Sequence, residues 1–159
     1  MEPPITALMS SAWPGIGLEF RAGCACYIRR TMTASTDFLH YVYESDCLKI
    51  RAVGRDLVED KESSARAIAS VIAAKPIRAA VLDLRQVPGP YRFMDRVQMG
   101  EAAGRHLVGT PIAVVLSEEQ ADPDRIGMVV ARNRGANIEV FTDESDAKAW
   151  VQKYLCPAC

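Results

Sequence analysis

Leu48, Ile50 and Ala52 alternate with Lys49, Arg51 and Val53, which predicts a strand with one face on a core. Phe38–Tyr43 precedes it across the turn Glu44-Ser-Asp-Cys47, so the two segments pair as an antiparallel hairpin. Beyond Gly54, apolar residues recur at Val58, Ala65, Ile68, Val71 and Ile72, mostly three or four apart. They predict an amphipathic helix over Leu57–Ala74, stopped before Pro76. Ile77–Leu84 and Pro111–Leu116 are nearly continuous apolar runs, as in strands covered on both faces. Between them Phe93–Leu107 has helical spacing, with Phe93, Val97, Gly100, Ala103, Gly104 and Leu107 inward and its small residues set to approach the sheet closely. Asp122-Pro123 opens a helix that ends at Gly135. Asn137–Phe141 is a short strand, and Thr142 offers a capping hydroxyl to a last helix that buries Ala147, Trp150, Val151 and Tyr154, with Trp150 as anchor.

The predicted order is β-β-α-β-α-β-α-β-α. Such alternation implies an α/β domain with a mainly parallel sheet, right-handed crossovers and one antiparallel strand from the N-terminal hairpin. Residues 1–36, rich in Pro and Gly and without periodicity, read as a poorly ordered extension; Met32 near its end is an alternative start. Residues 37–155 form the domain and residues 156–159 a tail.

A chain of 159 residues, about half hydrophobic and a quarter charged, suits one globular domain. A formal net charge of −1 gives no bulk electrostatic reason to bind nucleic acid. No run reaches the roughly 20 apolar residues of a membrane span, and the N-terminus lacks the basic and apolar regions of a secretory leader. A cytoplasmic protein is the expectation.

The five cysteines, Cys24, Cys26, Cys47, Cys156 and Cys159, are odd in number, against a complete disulfide framework. The terminal pairs admit an alternative, zinc binding or thiol redox chemistry, but Cys156 and Cys159 follow a helix instead of opening one, where the dipole would activate a thiolate. A plain tail with two thiols is the simpler account. His40 and His106 have no adjacent nucleophile, and a pairing of His40 with Cys47 across the hairpin would need tertiary contact. No Gly-rich phosphate loop follows a strand. No cofactor, metal or catalytic set is expected.

The element order, with Ala80-Val-Leu-Asp-Leu84, Pro111-Ile-Ala-Val-Val115 and the stretch from Arg134-Gly-Ala-Asn-Ile-Glu-Val-Phe141 through Trp150, resembles the SpoIIAA-like division of the STAS fold over about Phe38 to Tyr154. The resemblance implies a non-enzymatic regulatory domain that acts through protein contacts or a bound ligand. Because SpoIIAA-like proteins are compared with Sec14-type lipid carriers, lipid is the specific variant implied. In the antagonists of anti-sigma factors with this fold, a phosphorylatable Ser follows the strand corresponding to Val81–Leu84. Here Tyr91-Arg92-Phe93 stands at that place, without a phosphoacceptor, which puts the phosphate switch in doubt.

Ligands of parallel α/β sheets gather at the strand C-termini. The candidate site is therefore Arg85, Tyr91, Arg92 and Arg96 from one loop and helix start, Ser117 from the next loop and Thr142 from the last. Arginines near a helix N-terminus suit an anion; the alternative is that they are solvated or paired with Asp95, Glu118 and Glu119. The expected partner is an unidentified protein or a small anionic or apolar ligand. The hairpin's edge strand is a candidate homodimer contact.

Overall fold

The computed structural model describes residues 31–35, 38–44, 46–54, 57, 59–89 and 91–155. Six strands lie in one sheet in the order of the sequence: β1 (Thr31–Ser35), β2 (Leu39–Glu44), β3 (Cys47–Val53), β4 (Ala79–Gln86), β5 (Ile112–Val115) and β6 (Ile138–Phe141). β2 is antiparallel to both β1 and β3, and β3 to β6 are mutually parallel, so β2 alone runs against the others. This is the expected α/β architecture with one strand more. β1 falls inside the segment expected to be a poorly ordered extension, and it pairs with β2 from Thr31↔Glu44 to Ser35↔His40. The homodimer contact expected at the free edge of β2 is corrected accordingly, because β1 occupies that edge.

Helices α1 (Lys61–Ala73), α2 (Phe93–His106) and α3 (Ile126–Asn133) connect the parallel strands, and α4 (Glu144–Leu155) closes the chain. A strand's side chains alternate between faces, so β3 to β6 each serve two cores. Leu48, Ile50, Ala80, Leu82, Ile112 and Val114 face α1 to α3, where Ile68, Val71, Leu107 and Ala131 meet them. Val81, Ala113 and Val115 face the other way, onto Ala147 and Val151 of α4. Sequential strands joined by crossovers of one hand place every connecting helix on one face. Only α4 is left for the other.

Local chemistry moves several expected boundaries. α1 starts at Lys61, four residues later than its apolar spacing suggests, because the Asp60 carboxylate caps it by accepting the Ser63 N–H at 3.3 Å. α3 starts at Ile126 instead of Asp122. Asp122 accepts the Asp124 and Ile126 N–H groups at 3.2 and 2.9 Å, and Arg125 adopts a left-handed φ of 50°, which ends the preceding turn before the helix begins. The cap of α4 is the Asp143 carboxylate, which accepts from the Ser145 and Asp146 N–H groups, and not the Thr142 hydroxyl.

The small residues of α2 serve α3 more than the sheet. A Cβ at Gly100 would stand 2.3 Å from the Gly127 carbonyl oxygen, and one at Gly104 would meet the Arg134 side chain at 2.6 Å. Trp150 is half-buried against the rings of Phe141 and Tyr154, while Ala147 and Val151 are the buried positions of α4. It lies at the margin of that core, not at its centre. Among the described residues no helix is long and apolar enough to cross a membrane.

Candidate functional site

The C-terminal ends of the parallel strands carry two polar assemblies, one on each face of the sheet. On the α4 face, Asp83 is 8% exposed at the end of β4. Arg85 is two residues on and therefore on the same face. It grips the Asp83 carboxylate with two side-chain N–H groups, Nε at 2.9 Å and Nη2 at 2.8 Å, and adds its backbone N–H at 3.1 Å. Arg51 of β3 reaches the same carboxylate at 3.2 Å, and Arg85 continues to Glu144 at 2.9 Å. Burial pushes the Asp83 carboxyl up, but the hydrogen bonds from Arg85, with its charge and that of Arg51, outweigh burial and hold it below the usual carboxylate range. Arg85 is thus committed to Asp83 and Glu144, neither of which was among the acids expected to pair with the arginines. Thr142 is exposed beside this network.

On the opposite face, the sheet and α1 to α3 line a half-open cavity of about 160 Å³. Its walls are Leu82, Leu84 and Val114 from the sheet, Ile68 from α1, Met99 and Ala103 from α2, and Met128 from the first turn of α3. The close approach of Gly100 to Gly127 joins α2 to α3 along this side. Tyr91 and Arg96, two of the expected site residues, line the cavity, and Tyr91 is buried. Arg92 is exposed at the N-cap of α2, where its backbone N–H donates to the Asp95 carboxylate at 3.0 Å. Ser117 meets the site through its backbone: its N–H donates to Gln120 Oε1 at 2.8 Å and its carbonyl accepts the Gln120 N–H at 3.1 Å. The six expected residues are therefore divided: Arg85 and Thr142 on the α4 side, Tyr91 and Arg96 in the cavity wall, and Arg92 and Ser117 outside both.

Three residues of the cavity wall were not expected from the sequence. Gln120 is 3% exposed. Its amide N–H groups donate to the carbonyls of Leu84 at 3.0 Å and Val87 at 2.7 Å, stitching the loop after β5 to the end of β4. Asp122 pairs with Arg96 Nη1 at 3.0 Å while its other oxygen caps α3. Ser64 is 2% exposed, and its hydroxyl has no hydrogen-bond partner among the described residues; Arg96 Nε is a second buried donor in that state. Ser64 and Arg96 did carry a signal. Ser64 falls in helical register with Ile68 and Val71, and Arg96 with Met99, Gly100 and Ala103, so each is a polar residue on an apolar stripe. Gln120, inside the polar run Ser117-Glu-Glu-Gln120-Ala-Asp122, carried none.

The remaining chemistry is structural. His106 Nε2 and the Arg105 guanidinium both meet the Glu62 carboxylate, His106 at 2.7 Å, tying α1 to α2; these contacts hold Glu62 below its ordinary range. His40 pairs across the hairpin with Arg51, and Cys47 with Glu44, so the two residues lie at opposite ends of the ladder and form no dyad. Burial pushes the Cys47 thiol up to about 11, the reverse of what a nucleophile needs. Cys24, Cys26, Cys156 and Cys159 lie outside the described residues. Among the described residues no group of His, Cys, Asp or Glu is arranged to hold a metal ion.

No protein-family model matches the chain, and no curated protein matches it. Among solved structures it is similar to an uncharacterised protein of the DUF3478 family with a SpoIIAA-like fold from Shewanella loihica PV-4. The identity is 19%, the TM-score is 0.39, and the match covers 81% of this chain and 99% of that one.

Proposed function

We propose that this domain is a non-enzymatic, regulatory ligand-binding protein whose small, mainly apolar ligand occupies the cavity between the sheet and α1 to α3. The observation that carries this reading is the cavity itself. Small-molecule sites are concave and mostly apolar with a few placed polar groups, and this cavity is built that way. An engineered apolar cavity of about 150 Å³ takes up benzene, so about 160 Å³ is ample for a compact organic ligand. A lipid would enter only by a short acyl segment. Mass spectrometry of organic extracts from the folded full chain, together with displacement of a polarity-sensitive dye, tests the proposal. Replacing Ala103, on the wall, with Leu should abolish dye uptake and leave the fold intact. Undiminished uptake by Ala103→Leu would place the ligand elsewhere.

A second reading, contact with a protein partner, is favoured by Phe93 and Met94, which open α2 at 60% and 56% exposure. Phe93→Ser with Met94→Ser would weaken such a contact and leave dye uptake unchanged.

A further inference from the structure

Resting on the cavity as the binding site, we infer that its ligand is a neutral molecule about the size of a monosubstituted benzene, with a single hydrogen-bond acceptor such as a ketone or ester carbonyl. Three observations lead there. First, the cavity wall is apolar apart from a few groups, and two of those are buried donors without a partner among the described residues, Ser64 Oγ–H and Arg96 Nε–H. Leaving such donors unpaired costs free energy; both atoms are covered by their neighbours, so an acceptor on the ligand would recover that cost after a side-chain rotation that turns the donor to it. Second, Gln120, Arg125 and Lys61 of the wall are occupied or sit at the rim. The Gln120 amide serves Leu84, Val87 and Ser117, Arg125 bonds Glu139 at 3.0 Å, and Lys61 is only half-buried at the start of α1. Third, the positive charge of Arg96 is already balanced by Asp122 at 3.0 Å. Asp122 cannot swing away freely, because it also accepts the Ile126 N–H that begins α3. An anion bonded to Arg96 Nε would lie close to this fixed carboxylate against a mainly apolar wall, where like charges repel. A neutral carbonyl takes the same N–H without that repulsion. The ligand thus differs from the anion expected of an arginine cluster.

Chemical-shift titrations of the full chain with acetophenone, ethylbenzene and benzoate distinguish the cases. The three share a ring and differ in offering a neutral acceptor, no acceptor or an anion. Acetophenone should bind on the order of tenfold more tightly than ethylbenzene, and benzoate more weakly than acetophenone. Arg96→Lys keeps a cation for Asp122 but has no Nε–H, so it should remove most of the acetophenone advantage and leave ethylbenzene within about twofold. Ser64→Ala, which leaves Arg96 intact, should reduce the same advantage. Equal binding of acetophenone and ethylbenzene would overturn the polar contact while leaving the cavity as a binding site. Tighter binding of benzoate would overturn the neutrality of the ligand. Shifts from none of the three, in a protein that still melts cooperatively, would overturn the cavity reading and this inference with it.

Discussion

The two faces of the sheet at the end of β4 treat buried polar groups in opposite ways. On the α4 face, Asp83 receives Arg85 three times and Arg51 once, and Arg85 runs on to Glu144. Each charge there has an opposite neighbour, so the assembly is complete without a ligand. On the α1 to α3 face, Gln120 is satisfied in the same complete way, yet Ser64 and Arg96 Nε on the same cavity wall have no hydrogen-bond partner among the described residues. Arginines at strand ends suggest anion binding when the sequence is read alone. What separates structure from recognition here is the pairing of each donor, not the residue type or its place in the fold.

The sharpest break of this contrast is Gln120→Ala. Three hydrogen bonds disappear at once: the Val87 carbonyl and the Ser117 N–H lose the Gln120 side chain, and the Leu84 carbonyl keeps only the Val87 N–H. The expected cost is about 3 kcal/mol, read as a lower urea midpoint at unchanged m-value. A loss below about 0.5 kcal/mol would mean that water replaces the amide without penalty, and satisfaction would then no longer distinguish the two faces.

Next in size is Asp83→Ala, expected to cost about 2 kcal/mol because the arginine partners are partly exposed and recover some hydration. The same carboxylate sets an acid response. Its value in the fold lies below that of an unfolded aspartate, about 3.9, so the stability it contributes is present above that pH and is lost as pH falls through the folded value. Urea titrations at successive pH values below about 4 should show a steeper loss in the native protein than in Asp83→Asn. Parallel curves would assign the acid response to other carboxylates, such as Glu62 or Glu144, which are also held low.

How much of this was legible in the sequence follows from which forces act locally. The β3 alternation and the apolar runs of β4 and β5 were readable because burial on one or two faces writes a period into the chain. β1 was missed although Thr31-Met-Thr-Ala-Ser35 alternates polar and apolar residues: Met32 and Ala34 are its only apolar positions, and the run follows a segment rich in Pro and Gly. The starts of α1 and α3 moved because Asp60 and Asp122 offered their carboxylates to backbone N–H groups, a choice invisible to apolar spacing. At the candidate site, position along β4 and α2 was enough to bring Tyr91 and Arg96 to one end of the sheet, and the structure puts both in the cavity wall. For Arg85 the sequence offered an anion or the acids Asp95, Glu118 and Glu119, because Asp83, two residues earlier, had been counted as part of a buried strand and not as a partner.

The smallest expected effect is the most diagnostic. Replacing a satisfied buried hydroxyl with hydrogen loses its hydrogen bond, whereas replacing an unsatisfied one removes a polar group that was buried without compensation. Ser64 sits on the buried stripe of α1 with Ala65, Ile68 and Val71, and Ala is also the better helix former. Ser64→Ala should therefore leave stability unchanged or raise it by up to about 1 kcal/mol, in contrast to the losses at Gln120 and Asp83. Calorimetry of the ligand-free protein checks the sign. A loss of more than about 1 kcal/mol would show that the hydroxyl has a partner in solution, and Ser64 would then belong with Gln120 among the groups that hold the cavity together. A gain in stability accompanied by weaker uptake of acetophenone would instead mark Ser64 as a residue kept for the ligand at the expense of the fold.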